Sequence, residues 1–332
     1  MIKQIFKQPE IYQLNIPLPN NPLKNLNCYV VKTAGGNLVI DTGFNQRECF
    51  DVLSQGLHEL AIDMDLTTLF LTHFHSDHIG LVERICTDKT RVIMGEIDYQ
   101  YFTKMMVGGN KQEFKKRFLQ EGFPSDDLNA QAKINPAIRY APKNEFDAML
   151  CKDKEIFYIG DYAFECVCTP GHTPGHTCLY MKNEKIMFLG DHVLFDITPN
   201  ITAWPNISDS LGDYLESLDK IAGYDINLAL PAHRKNDANV YDRIRQLKQH
   251  HAERLGEIIA IIENKSGQNA YEIASQLKWS MRGKNWSEFP IQQKWFAVGE
   301  IMSHLDYLQE RQQISQVKEG QTIGYQRNKQ KK

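Results

Sequence analysis

The sequence has no apolar run approaching the roughly 20 residues that cross a bilayer. Its first residues, MIKQIFKQPEIYQLNIPLP, lack the continuous apolar stretch of a secretory signal. The expectation is a soluble chain kept in the cytoplasm, with no membrane contact. Cysteine is sparse and irregular: 7 residues, an odd count without regular spacing, argue against a disulfide framework and for reduced thiols. No glycine-rich dinucleotide fingerprint is present, and Cys166 and Cys168 simply alternate on a strand-like run, so nothing points to redox chemistry. Charge of one sign is scarce too, since 38 basic and 41 acidic residues leave a net charge of −3, which excludes a chain that is uniformly a polyanion binder. With 42% hydrophobic and 24% charged residues, collagen, coiled-coil and low-complexity chains are excluded and a globular protein remains. At 332 residues a single core usually stops growing, so one large domain and one smaller one are expected.

What is present in the first half is an alternation of short β-rich runs with turns and helical patterns, the mark of an α/β domain. Candidate strands cover 27–32, 37–41, 67–72, 91–94, 157–158, 164–168, 178–181, 186–189 and 227–230. Many end on a polar residue, where a rigid sheet can hold catalytic groups on its loops. Between Glu96 and Leu150 the pattern turns helical and aromatic, with Tyr99, Tyr101, Phe102, Met105, Met106, Phe114 and Phe118. Asn110 followed by Glu113 reads as the cap and third-position acid of a helix inside this insert. Most of these aromatics are expected to pack the insert onto its domain; as a group they would form an apolar substrate wall or lid.

From Val240 the apolar positions Val240, Ile244, Leu247, Leu255, Ile258 and Ile262 fall at helical spacing, after a boundary placed between Arg234 and Val240. This divides the chain into residues 1–238, with the insert at 96–150, and residues 239–332. A short helical run at 270–277, a longer one through Ile291, Trp295, Val298, Met302 and Leu305, and two strands around Glu319–Gly320–Gln321 follow. Helix, helix, hairpin is the order of a winged helix-turn-helix. Only the closing RNKQKK reads as disordered. Residues 265–332 carry 11 basic and 6 acidic residues, a net of +5, which leaves −8 for residues 1–264.

The decisive segment is Thr72-His73-Phe74-His75-Ser76-Asp77-His78, four metal-competent side chains in six positions after a strand. Imidazole with carboxylate suits zinc and its first-row neighbours. An HxHxDH run arises by chance on the order of once in a thousand chains of this size. Three further strand ends join it in chain order: Thr169-Pro170-Gly171-His172-Thr173-Pro174-Gly175-His176, Gly190-Asp191 and Pro231-Ala232-His233. Each alone would read as a hydrogen-bonded loop residue.

Together, over roughly residues 11–234, these motifs resemble the metallo-β-lactamase superfamily of metallohydrolases. The resemblance implies an αββα sandwich, two packed sheets with helices outside and a metal site at one edge, here followed by the helical, winged-helix C-terminal domain. It implies that His73, His75 and His172 hold one ion, that Asp77, His78 and His233 hold a second, and that Asp191 bridges them. Asp41, in Ile40-Asp41-Thr42-Gly43, would stand behind the ligands, and His176 would support its loop. His192 is left with a structural role. The implied cofactors are two divalent ions, zinc first, with iron or manganese also accepted by His and Asp.

Two such ions can share a hydroxide and make a nucleophile at neutral pH without a protein Ser or Cys, with Asp77 near enough to orient it or take its proton. Hydrolysis is the expected chemistry. One fold serves many substrates in this superfamily, so the substrate needs other arguments. A thioester or ester of a small molecule, as in the hydroxyacylglutathione hydrolase branch, fits the TPGHTPGH segment, the aromatic insert and the absence of a strongly basic metal domain. The alternative is an endoribonuclease or phosphodiesterase, with nucleic acid met by the basic C-terminal part at Lys278, Trp279, Arg282, Lys284 and Trp286. Against it, Trp279, Trp286 and Trp295 can equally form a core, and a winged helix can serve as a homodimer surface. A lactonase and a non-catalytic sensor rank lower.

Overall fold

The protein is described here from a computed structural model covering residues 2–109, 111–235, 238–279, 285–320 and 322–329. The candidate cap at Asn110, part of the 234–240 boundary, Arg282, Lys284, Gln321 and the last three residues lie outside the described residues.

Seven strands form the first sheet in chain order: β1 (Ile2–Phe6), β2 (Glu10–Pro17), β3 (Asn25–Thr33), β4 (Gly36–Ile40), β5 (Thr67–Leu71), β6 (Arg91–Gly95) and β7 (Met149–Cys151). β1 to β4 pair antiparallel, and β4 to β7 pair parallel. The second sheet runs β12 (Leu228–Pro231), β11 (Ile186–Gly190), β10 (Thr177–Met181), β9 (Tyr162–Cys168), β8 (Ile156–Ile159); it is antiparallel except for the parallel β11–β12 pair. Both sheets are therefore mixed. β5, β10 and β11 are buried at every position, as strands covered on both faces must be, and their sequences TTLFL, TCLYM and IMFLG are correspondingly apolar.

The core lies between the sheets. Tyr29, Val31, Ile40, Phe70 and Ile93 from the first meet Phe164, Leu179, Met181 and Phe188 from the second. The helix Arg47–Glu59 covers the outer face of β2, where Gly56 lets Leu14 approach. Polar contacts then join the two sheets at one edge: Thr177 N–H donates to Thr72 O at 2.9 Å, and Asn27 N–H to Ala232 O at 2.6 Å. That edge carries the ends of β4, β5, β9, β11 and β12.

The chain divides into two compact units. The first comprises residues 1–107, 136–199 and 217–244; the second comprises 108–135, 200–216 and 245–332. Where the sequence suggests one cut after residue 238, the second unit thus also takes in the middle of the 96–150 insert and a stretch after β11. Its core explains why. Phe118 stacks on Trp295 at 5.3 Å between ring centres, and Phe118, Phe123 and Leu128 share a cluster with Ile258, Ile262, Ile273, Val298, Met302 and Leu305. Trp279, Trp286 and Trp295 pack against the same cluster. The second unit is helical, with the helix Val240–Asn264 from residue 245 onward and the helices Ala270–Gln276 and Ile291–Glu310, and ends in a hairpin of β13 (Ile314–Glu319) and β14 (Thr322–Arg327). The insert aromatics are thereby split: Tyr101 stays in the first unit, stacked on Phe74 at 6.1 Å, while Phe114 and Phe118 serve the second unit's core.

Candidate metal centre

The loop after β5 begins with Thr72, which is tied to the end of β4. Thr72 N–H donates to Asp41 Oδ1 at 2.9 Å and its hydroxyl to Asp41 Oδ2 at 2.9 Å. A carboxylate can only accept, so the hydroxyl proton is committed there. The same hydroxyl lies 3.0 Å from His73 Nδ1, which must then be the donor, leaving His73 Nε2 as a bare lone pair. Identical reasoning fixes two more rings. His78 Nδ1 faces Asp41 Oδ2 at 2.8 Å, and His233 Nδ1 faces the Asn25 carbonyl at 2.8 Å. Both partners accept only, so the neutral forms of His78 and His233 also turn an Nε2 lone pair inward.

These lone pairs converge. His73 Nε2 and His172 Nε2 lie 2.9 and 3.0 Å from His75 Nδ1. One ring proton cannot serve both contacts well, whereas donors sharing a tetrahedral zinc sit roughly 3.3 Å apart. On the other side, His233 Nε2 lies 3.4 Å from Asp77 Oδ2, and His78 Nε2 lies 3.9 Å from the same oxygen. Asp191 faces both groups: Oδ2 is 3.5 Å from His172 Nε2, and Oδ1 is 3.3 Å from His233 Nε2 and 3.8 Å from His78 Nε2. His78 Nε2, His233 Nε2 and Asp191 Oδ1 are buried and have no hydrogen-bond partner among the described residues. Buried polar atoms without partners are costly unless something else satisfies them. The donor chemistry and these orphaned atoms fit divalent cations. Three overlapping sets have ligand atoms within 4.8 Å of one another: His73, His75 and His172; His73, His78 and Asp191; Asp77, His78 and His233.

Electrostatics agree with the geometry. Burial pushes the Asp77 carboxyl up, but the imidazoles of His78 and His233 outweigh it and bring it down to about 2. Burial likewise opposes ionisation of Asp191, and His233 and His78 reverse it strongly. Burial would strip the proton from His78 and His233, yet Asp41, Asp77 and Asp191 hold the first above its usual value and Asp191 and Asp77 hold the second well above. Positive charge is favoured on this side of the cluster, whether protons or a cation supply it. His73 and His75 behave oppositely: burial and neighbouring imidazoles drive His73 well down and His75 to about 3, so both offer neutral nitrogens.

All seven side chains singled out as ligands are thus brought together, with Asp41 and His176 behind them. His176 Nε2 accepts Asp191 N–H at 3.1 Å, and its Nδ1 meets Thr169 Oγ1 at 2.8 Å. The approach depends on Gly190, whose φ is +51° and where an added Cβ would stand 2.4 Å from His176 Nε2. His192 is buried, its ring 6.1 Å from that of His176, and burial lowers its pKa to about 3.

Some contributors carry no motif in the sequence. Asn27 donates to Pro231 O at 3.0 Å and Arg234 O at 2.8 Å, holding the His233 loop against β3. Asp98, on the helix Glu96–Met106, accepts from Phe74 N–H, Thr173 Oγ1 and Gly175 N–H. Burial pushes its carboxyl up to about 7 against these donors. No helix among the described residues is long and apolar enough to cross a membrane.

Known proteins place this architecture. The probable metallo-hydrolase YqjP of Bacillus subtilis (strain 168) is 23% identical over 322 residues, spanning 95% of this chain and 97% of its own length. The atrochrysone carboxyl ACP thioesterase of Emericella nidulans is 27% identical over 216 residues, 65% of this chain and 53% of its own. The chain spans 60% of the length of the lactamase-like protein adaB of Aspergillus niger, which it also matches. A metallo-beta-lactamase family protein from Thermus thermophilus superposes with a TM-score of 0.80 at 26% identity, over 96% of this chain and 98% of that one. The family model of the metallo-beta-lactamase superfamily matches residues 22–147 and 153–233, more than half of the sequence. With the donor set gathered at the sheet edge inside that match, the chain belongs to the metallo-beta-lactamase superfamily.

Proposed function

We propose that this chain is a dinuclear hydrolase of a small-molecule thioester or ester, acting in the cytoplasm. His73, His75 and His172 would hold one divalent ion and Asp77, His78 and His233 the other, zinc first among the candidates. The observation that carries the two-ion reading is Asp191, whose Oδ2 faces His172 while its Oδ1 faces His78 and His233. When bound, such ions supply Lewis acidity that activates water near neutral pH and polarises a carbonyl. The protein's part is to orient and to move protons. The Asp77 carboxylate, lowered to about 2 and with Oδ2 3.4 Å from His233 Nε2, stays ionised at neutral pH and would orient the attacking water by accepting its hydrogen bond. Asp41 keeps His78 in the tautomer that offers Nε2.

The thioesterase among the relatives supports the acyl-substrate reading, as do the acidic balance of residues 1–264 and Tyr101 stacked on Phe74 beside His75. Turnover of a panel of acyl-thioesters, esters and lactones by metal-replete protein tests it; no turnover on any of them rejects it.

The charge split favours one second reading, a phosphodiesterase or endoribonuclease that meets RNA through the net +5 of residues 265–332, with the helices and hairpin taken as a winged helix. The engagement of Trp279, Trp286 and Trp295 in core packing weakens it, since they are not free stacking platforms. Salt-dependent binding of single-stranded RNA would favour this reading, and a homodimer in solution would instead make the second unit an assembly surface.

A further inference from the structure

Asp98 occupies the third position of the helix Glu96–Met106, where an acid commonly serves its own helix terminus. Its carboxylate reaches elsewhere instead. Oδ2 accepts Phe74 N–H at 3.1 Å and the Thr173 hydroxyl at 2.7 Å, and Oδ1 accepts Gly175 N–H at 2.5 Å. Phe74 stands between His73 and His75, and Thr173 follows His172. One side chain with no solvent exposure therefore joins the two loops that carry the three histidines. The junction is close enough to need glycine at 175, where an added Cβ would lie 2.3 Å from Asp98 N. Thr173 and Gly175 lie outside the segments of Asp77, His78 and His233, and Phe74 precedes the short helix Ser76–Ile79 that carries Asp77 and His78. Asp41, the other buried carboxylate beside the cluster, contacts Thr72 and His78 Nδ1.

We propose that Asp98 is the positioning residue of the three-histidine group, setting His73 and His75 against His172 through Phe74, Thr173 and Gly175. This rests on the two-ion reading. The two buried carboxylates then differ in reach: Asp41 acts behind His78 directly and behind His73 through Thr72, whereas Asp98 joins the His73–His75 loop to the His172 loop. A merely structural Asp98 would affect both groups alike when lost.

The test uses the full chain loaded with cadmium, whose NMR resonances separate a nitrogen-rich site from one containing carboxylate ligands. The expected result for Asp98→Asn is about 10–100-fold weaker cadmium binding at the nitrogen-rich resonance, with the other within about threefold of wild type. Thr173→Val, which removes one of the three donors, is expected to weaken the same resonance by a smaller factor, and it carries the test should Asp98→Asn fail to fold. Equal losses at both resonances, or none in either variant, overturn the proposal. A wild-type protein showing one resonance overturns the two-ion reading separately. Asp98 is then judged on that single ion: weakening in either variant sustains its role, and unchanged affinity in both refutes it.

Discussion

In the second unit, Arg117 meets Glu121 Oε1 at 2.9 Å and Asp306 Oδ1 at 2.8 Å, while the Tyr325 hydroxyl donates to Glu121 at 2.7 Å and Ala270 N–H covers its other oxygen. In the first, Asp77, His78, Asp191 and His233 crowd together at 3.3–3.9 Å, with ring nitrogens and an oxygen that have no hydrogen-bond partner among the described residues. Both regions bury charge, but one is closed and the other is open. A closed network fixes a fold by joining distant segments, here residues 117 and 121 to 306 and 325. An open one is destabilising by itself and makes sense when a cation completes it.

The contrast can be broken from either side. The largest effect belongs to the open network. Asp191→Ala removes a side chain that faces both donor groups and should lower turnover by at least about a thousandfold, with the far-UV spectrum retained; steady-state kinetics on any accepted substrate would show it. In the closed network, Arg117→Met leaves the buried Glu121 and the half-buried Asp306 without their cation and should cost about 2–4 kcal/mol in denaturant unfolding, less than a fully enclosed pair because Arg117 is partly solvated, with metal content unchanged. A metal content that fell with it would erase the distinction between the two regions.

A third effect comes from Glu300, which is half-buried with its Oε1 enclosed and whose carboxyl desolvation pushes up to about 7, Arg254 opposing. Because its folded value lies above the unfolded one, its contribution is complete in acid and is lost as pH rises through about 7. At most about 3 kcal/mol should disappear between the unfolded value and slightly alkaline pH. Glu300→Gln should flatten that slope in paired denaturation curves, and an unchanged slope would assign it to another group. Smaller still, His176→Asn removes the acceptor of Asp191 N–H and should weaken ion binding about tenfold. Titration with a competing chelator measures it, and wild-type affinity would show that Gly190 and its loop hold Asp191 unaided.

The contrast also explains what could be read in advance. The open network was legible because its members are compressed into a few strand ends: four of the seven lie within His73–His78, and the others follow glycine or proline punctuation. Asp98 was not, since one acid in Gly95-Glu96-Ile97-Asp98 has no spacing partner and gains meaning only where two loops meet it. β1 and β2 carry no clear strand signal because IKQIF and EIYQLNIP mix exposed polar residues into the pattern of a sheet's edge region. The allegiance of residues 108–135 was equally hidden. It depends on contacts such as Phe118 with Trp295 and Arg117 with Asp306, separated by nearly two hundred residues, which no local periodicity encodes.

The central claim is that the open network is completed by two ions and that they are needed for hydrolysis. Metal analysis of the purified full chain, paired with acyl-thioester turnover before chelation, after it, and after metal is restored, tests this most directly. Two ions per chain, with turnover lost on chelation and regained with metal, is the predicted result. One ion or none at full turnover, or turnover that survives chelation, would contradict it.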